Sequence, residues 1–296
     1  MAGSADMTGK VVLITGGTSG IGEVTARELA GLGARVVLVG RGRDKGEAIC
    51  AEINARPGAA PATMMAADLS TQTGVRRFAD EFRARHDRLD VLINNAGAIF
   101  ARRQETADGI ERTFGLNHLA YFLLTGLLLD LLKSSAPSRV VNVASDAHRK
   151  ARGMNFDDLE AKTRYQAFPA YCQSKLANIL FTRELSRRLE GSGVTANALH
   201  PGFVATNFFA GNGLLGWAMR RAAGLFAIPP ERGAETSIYL ASSPEVEGVS
   251  GLYFDRRKAV EPSKAALDDD AARRLWEISE RMTGLAGAGT PPESRT

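Results

Sequence analysis

The feature that most constrains this chain is a junction near its start. The apolar run Val11 to Thr15 (VVLIT) meets Gly16-Gly17-Thr18-Ser19-Gly20-Ile21-Gly22, and a helix-like stretch then continues to Gly31. An apolar run, a glycine cluster and a helical stretch read as strand, tight turn and helix. Such a turn aims free backbone N–H groups and the positive end of the helix dipole at one spot, which suits a pyrophosphate. Glycine is needed where the backbone turns tightly, approaches phosphates or packs closely on a sheet. Gly16, Thr18, Ser19, Gly20, Ile21 and Gly22 are therefore candidate ligand residues. Their spacing is G-x3-G-x-G rather than G-x-G-x-x-G, and glycines alone would equally suit a structural turn. The position between first strand and first helix favours a dinucleotide.

Further apolar runs follow at Arg35–Val39, Thr63–Ala67, Leu89–Ile93, Arg139–Val143 and Val194–Leu199, with a helical stretch at Asp44–Ala55. They are continuous rather than alternating, as in strands buried on both faces of a parallel sheet. Repeated β-α units predict an α/β fold, a single-domain doubly wound parallel sheet (Rossmann fold) with helices on both faces. No internal repeat or Pro/Gly/Ser linker divides the 296 residues. One dinucleotide-binding domain is expected over 9–284, with a flexible N-terminus (1–8) and a fraying tail (285–296). Asn207 to Ala227 mixes aromatics, glycines and leucines. It reads either as a substrate lid over about 207–230 or as an ordinary packed helix pair.

Several function classes drop out on composition. The 37 basic and 33 acidic residues leave a net charge of +4, too mild to point to nucleic acid or an anionic membrane. Cys50 and Cys172 are far apart, without CxxC spacing or a histidine partner, so neither a disulfide nor a metal site is expected and a reducing cytoplasm fits. The first ten residues carry no apolar core, so no signal peptide or anchor is read there. The most apolar run, Leu119–Leu132, is too short to span a bilayer and contains Asp130. It is expected to form a buried helix, one that could pack on a second subunit.

Chemistry concentrates at three places. The second strand ends Val39-Gly40-Arg41-Gly42-Arg43, with no carboxylate before Asp44. A carboxylate there would bind a ribose diol and select NAD, whereas Arg41 offers a planar donor fork to a 2′-phosphate, which predicts NADP(H). A solvated arginine pair is the plainer alternative. Tyr171 and Lys175 stand four apart in AYCQSKLAN, so they rise from one helical face. A nearby ammonium favours the phenolate and makes tyrosine a plausible acid–base, although Y-x-x-x-K also occurs on solvated helices. Ser145 ends the run VVNVAS, where open α/β sheets place ligands. It can donate to a substrate oxygen or simply cap a turn. No G-x-S-x-G surrounds it, which argues against a serine hydrolase.

Together these pieces resemble the short-chain dehydrogenase/reductase family, from Gly9 to about Gly284. The matching residues are the TGGTSGIG loop, Asp68, Asn94-Asn95-Ala96-Gly97, Asn117, Ser145, Tyr171, Lys175 and Pro201-Gly202. The resemblance implies that Asp68 and Leu69 border the adenine and that Asn95, Ala96 and Gly97 line the adenosine side. It implies that Asn117 interrupts its helix to hold a water relaying protons to Lys175. Pro201, Gly202, Val204 and Thr206 would border the nicotinamide. FGLNHLAYFLLT, YCQSKLANILFTRELSRRL and HPGFVATNFF resemble the retinol-dehydrogenase-like branch, which mostly reduces apolar aldehydes and ketones with NADPH. That branch also has a long insertion between serine and tyrosine, here His148 to Ala170. Many of its animal members begin with a membrane segment that has no counterpart in MAGSADMTGK, so a soluble relative is expected. Asp146 departs from the small or apolar residue usual beside the serine and leaves the substrate open.

The expected function is hydride transfer between NADP(H) and an apolar aldehyde, ketone or alcohol. A non-catalytic NADP(H)-binding scaffold or sensor and a light-dependent protochlorophyllide reductase-like enzyme are the competing readings. Phe203, Phe208, Phe209, Leu214, Leu215 and Trp217 suggest an apolar pocket or ordinary packing. The family also implies a homodimer or homotetramer built through the helices containing Leu123–Leu132 and Tyr171–Leu189.

Overall fold

In β1 (Val11–Thr15) every side chain is buried, and successive residues face opposite cores. Val11 and Leu13 join one apolar cluster, Val12 and Ile14 the other. A computed structural model describes residues 5–202, 204 and 228–285 of this chain. Around β1 it places β2 (Arg35–Gly40), β3 (Ala62–Ala66), β4 (Val91–Asn94), β5 (Ser138–Val143), β6 (Val194–His200), β7 (Tyr253–Asp255) and β8 (Lys258–Ala259). The spatial order is β3-β2-β1-β4-β5-β6-β7-β8, parallel throughout except for the last pair. The chain winds outward one way from β1 to β3, then returns to β4 and winds the other way. The resulting crevice lies beyond the C-terminal ends of β1 and β4, where open α/β sheets bind ligands. The doubly wound α/β sheet read from the sequence is thus the fold of the chain, and the expected strands lie within two residues of those observed.

Helices cover both faces. On one side α1 (Gly20–Gly31), α2 (Arg43–Asn54) and α8 (Pro230–Ser242) pack Leu29, Ile53 and Leu240 against the sheet. On the other, α3 (Gln72–Arg85), α5 (Ala120–Leu127) and α7 (Ala167–Arg188) contribute Phe78, Phe82, Leu123 and Phe181. The apolar run expected as one helix is divided. A short α4 (Arg112–Phe114) passes through a π-helical turn, Gly115–Leu119, into α5, and α6 (Leu129–Ser134) follows after a break at Leu128. Leu128 and Leu132 both reach the core while Asp130 stays in solvent.

The last helix, α9 (Asp269–Thr283), lies across α7 and reaches α5. Asp268 caps its start by accepting from the Ala271 N–H at 2.9 Å, and Gly284 closes it in the left-handed region at φ 63°. Trp276 meets Phe122 edge-on at 4.8 Å and stacks on Phe181 at 5.9 Å, while the Arg188 guanidinium covers the indole at 4.3 Å. Part of the α5–α7 surface expected to meet a second subunit is therefore covered by the chain's own C-terminal helix.

All four histidines are held below their ordinary pKa, in each case chiefly by burial. The fully buried His118, in the π turn, is lowered to about 4. The unfolded chain therefore binds protons that the folded one refuses between about pH 6.5 and pH 4. Folding stability should fall over this window, with His118 alone contributing on the order of 3 kcal/mol. Urea unfolding at a series of pH values checks this, and His118→Leu should flatten the slope.

Candidate functional site

The loop after β1 is joined to the loop after β4 by hydrogen bonds. Thr15 Oγ1 accepts from the Asn95 and Ala96 N–H groups at 2.8 and 2.9 Å. Asn95 Nδ2 donates back to the Thr15 carbonyl at 2.9 Å. The two strand ends therefore form one rigid ledge. Gly16 sits at φ 67°, and a Cβ there would stand 3.0 Å from the Ala96 backbone. A Cβ on Gly22 would press into the Gly16 carbonyl, so only glycine lets α1 begin this close to the strand. Ser19 takes the N-cap position of α1 without a side-chain capping bond. Thr18, Ser19, Gly20 and Ile21 are all partly open. The first N–H groups of the helix are thus presented at the crevice, a cradle that fits a pyrophosphate.

Arg41, just past β2, is exposed and has no ion-pair partner within 4 Å among the described residues. Asp68 lies beyond the end of β3 and is also exposed, with Leu69 buried beside it. Desolvation opposes ionisation of Asp68. Hydrogen bonds from Ser70 and the charges of Arg41 and Arg112 outweigh it and keep the carboxyl below its ordinary pKa. Arg41 and Asp68 therefore occupy the same charged rim.

The other candidates converge near the ends of β4 and β5. Tyr171 and Lys175 are buried, one turn apart on α7. Lys175 Nζ donates to the Val143 carbonyl at 2.8 Å and lies 5.6 Å over the Tyr171 ring. Ser145 follows β5, and its hydroxyl hydrogen-bonds the Tyr171 phenol. Ser145 Oγ also accepts from the Ala147 N–H at 3.2 Å, which occupies a lone pair and leaves its proton to be donated. Asn117 stands in the π turn and grips the strand of backbone beside Gly97. Its Oδ1 accepts from the Ala98 N–H at 2.9 Å, and its Nδ2 donates to the Ala98 carbonyl and to Ser174 Oγ, each at 3.0 Å. A Cβ on Gly97 would lie 3.2 Å from Asn117 Oδ1 and 3.6 Å from Lys175 Nζ, so this loop passes directly over both.

One electrostatic expectation needs correction. Lys175 was expected to lower the Tyr171 pKa, yet burial pushes the phenol well up, opposed by the Ser145 bond. Burial also drives Lys175 down to about 7. Near neutral pH the lysine is only partly charged, so it has less charge to lend the phenolate.

Pro201 and Gly202 follow β6, with Gly202 at φ 86°. Val204 bridges to Ile228, and a Cβ on Gly233 would crowd both Val204 and Ile21. This segment therefore approaches the start of α1. Thr206, Phe203, Phe208, Phe209, Leu214, Leu215, Trp217 and nearly all of the segment 207–230 expected as a lid or helix pair lie outside the described residues, as does the tail from residue 286.

Sequence reasoning passed over Thr15, His148 and His200. Thr15 was read only as part of the first strand and its glycine loop, while His148 reaches Ser263 and His200 reaches Asp146 over long separations. Asp146, by contrast, turns toward solvent and pairs with Arg149 at 2.5 Å. Among the described residues no group of three or more His, Cys, Asp or Glu is placed to hold a metal ion, and no helix is long and apolar enough to cross a membrane.

Comparison with known proteins adds a consistent result. Residues 10–213 match the family model described as short chain dehydrogenase. Human retinol dehydrogenase 14 is 48% identical over 302 residues, covering 94% of this chain and 88% of that protein. A crystal structure of a protein from Mycobacterium paratuberculosis superposes with a TM-score of 0.77 at 38% identity, covering 96% of each chain. The Pseudomonas aeruginosa RhlG/NADP active-site complex gives a TM-score of 0.68 at 28% identity, covering 86% of this chain and 97% of that one.

Burying the Lys175 ammonium is costly for the protein by itself. In the absence of nucleotide, Lys175→Met should raise unfolding stability at pH 7 by roughly 2–4 kcal/mol. Thermal or urea unfolding measures it, and a loss of stability would show the charge to be better compensated than its burial implies.

Proposed function

Because the chain belongs to the short-chain dehydrogenase family, an oxidoreductase family, we propose that it uses NADP(H) to interconvert an apolar aldehyde or ketone and its alcohol. The observation that carries this reading is the convergence of Asn117, Ser145, Tyr171 and Lys175 beside the glycine loop. The names of the similar retinol dehydrogenases support an apolar carbonyl or alcohol as substrate. The NADP carried by the RhlG complex supports the cofactor.

The bound nucleotide supplies or accepts the hydride. Gly16, Thr18, Ser19, Gly20, Ile21 and Gly22 would hold its pyrophosphate, Asp68, Leu69, Asn95, Ala96 and Gly97 its adenosine half, and Pro201, Gly202, Val204 and Thr206 its nicotinamide. Arg41, with no ion-pair partner of its own among the described residues, is assigned to the 2′-phosphate. In the reducing direction Ser145 donates its hydroxyl hydrogen to the substrate oxygen as negative charge builds there. Tyr171 Oη gives that oxygen its proton and becomes a phenolate. Lys175 in its protonated form steadies the phenolate. Asn117, in the π turn, would hold a water that returns protons to Lys175.

The test is turnover with NADPH and NADH across a panel of apolar aldehydes and ketones. Tyr171→Phe should lower kcat about 10²- to 10⁴-fold while leaving nucleotide binding nearly intact. Undiminished turnover would overturn the mechanism and favour a cofactor-binding role without catalysis. Arg41→Ala should raise the KM for NADPH roughly 10- to 100-fold and barely change that for NADH. Equal effects on both would remove the 2′-phosphate assignment.

A further inference from the structure

Ser145 opens a short 3-10 turn, Asp146–Lys150, held by side chains that tie it to distant parts of the chain. His148 is fully buried inside it. Its Nδ1 lies 2.7 Å from the Ser145 carbonyl oxygen, and its Nε2 accepts from the Ser263 N–H at 3.0 Å. The carbonyl requires a hydrogen on Nδ1 and the amide requires a lone pair on Nε2, so the two partners select one neutral tautomer. The Tyr253 ring meets the imidazole edge-on at 5.0 Å. Two neighbouring links act on the same turn. The Asp146 N–H donates to His200 Nδ1 at 3.2 Å, and Arg149 joins the Asp146 carboxylate to the Glu261 carbonyl at 2.8 Å.

We propose that His148 is a positioning residue for the reaction: it ties the Ser145 backbone to Ser263 and so sets where the Ser145 hydroxyl points. This rests on the role given to Ser145 above. A buried imidazole must have its polar atoms satisfied, and here both are spent on backbone groups at the two ends of one tie. An apolar residue would fill the space without holding either end. Misplacement of a reacting group by an ångström or less is enough to slow catalysis markedly. The segment after β8, which carries none of the candidate catalytic residues, thereby becomes part of the site's support.

The charged and titratable groups around His148 are Asp146, Arg149, His200 and Tyr253. Burial first, then Arg149 and His200, resist its protonation, while the bond to the Ser145 carbonyl and then Asp146 favour it. An imidazolium would lose the Ser263 bond, because Nε2 would then carry a hydrogen facing another donor.

Three substitutions separate positioning from simple packing. Asparagine keeps an amide N–H near the Nδ1 position, glutamine places a carbonyl near Nε2, and leucine keeps neither. With the best aldehyde of the panel and NADPH, His148→Leu and His148→Gln should lower kcat about 10- to 100-fold. KM and nucleotide affinity should stay within about twofold, and His148→Asn, which keeps only the Ser145 end of the tie, should recover only part of the loss. In a Ser145→Ala background His148→Leu should add little, because the group it positions is gone. Additive losses, or full turnover by His148→Asn or His148→Gln, each of which breaks one end of the tie, would overturn the proposal even if the leucine variant failed to fold. Full turnover by Ser145→Ala would instead overturn the reading of the site. Loss in Ser145→Ala with none in His148→Leu would overturn the positioning role alone.

Discussion

The pairing of β1 with β2 on one side and β4 on the other is the constraint on which the rest of the molecule depends. It sets β1 at the centre of the sheet, where the helices bury both its faces, and turns the winding of the sheet at the β1–β4 boundary. Parallel strands leave their C-terminal ends together, so the loops that follow β1, β4 and β5 must meet at one edge. Thr15 and Asn95 then lock the first two of these loops to each other. With that ledge rigid, the N-terminus of α1 and the buried Tyr171 and Lys175 of α7 face the same crevice.

Burial at this crevice works against the protein's own stability. Lys175 is forced toward its neutral form and Tyr171 away from ionisation, because burial opposes the charged form of each. Such an arrangement is costly in the folded chain and persists where chemistry requires it. The hydrogen bonds of Asn117 to Ala98 and Ser174, and of Lys175 to Val143, hold the costly groups in place. The supporting shell is as ordered as the groups it carries. His148 and Arg149 extend it to the segment following β8.

Much of this was legible from short-range patterns. The alternation of apolar strands and helices, the TGGTSGIG turn and the i, i+4 spacing of Tyr171 and Lys175 are local, and they predicted both the sheet and most of the candidate site. What escaped is non-local. His148 and Ser263 are 115 residues apart, and nothing in either neighbourhood announces their bond. The division of Leu119–Leu132 escaped because an unbroken apolar run carries no sign of where a helix must bend to meet a core. The covering of the α5–α7 surface by α9 escaped for a related reason. An amphipathic helix shows that it has an apolar face, not which surface that face will meet.

The amino-acid order by itself determined the repeating β-α architecture, the glycine turn, the exposed arginine after β2 and the tyrosine–lysine pair. Each of these follows from backbone geometry and side-chain period over a few residues. Only the tertiary structure decided the charge state of that pair, the grip of Asn117 on Ala98 and the tie from Ser145 through His148 to Ser263. Those depend on desolvation and on hydrogen bonds between segments far apart in the chain, and both come into being only when the sheet has brought the segments together.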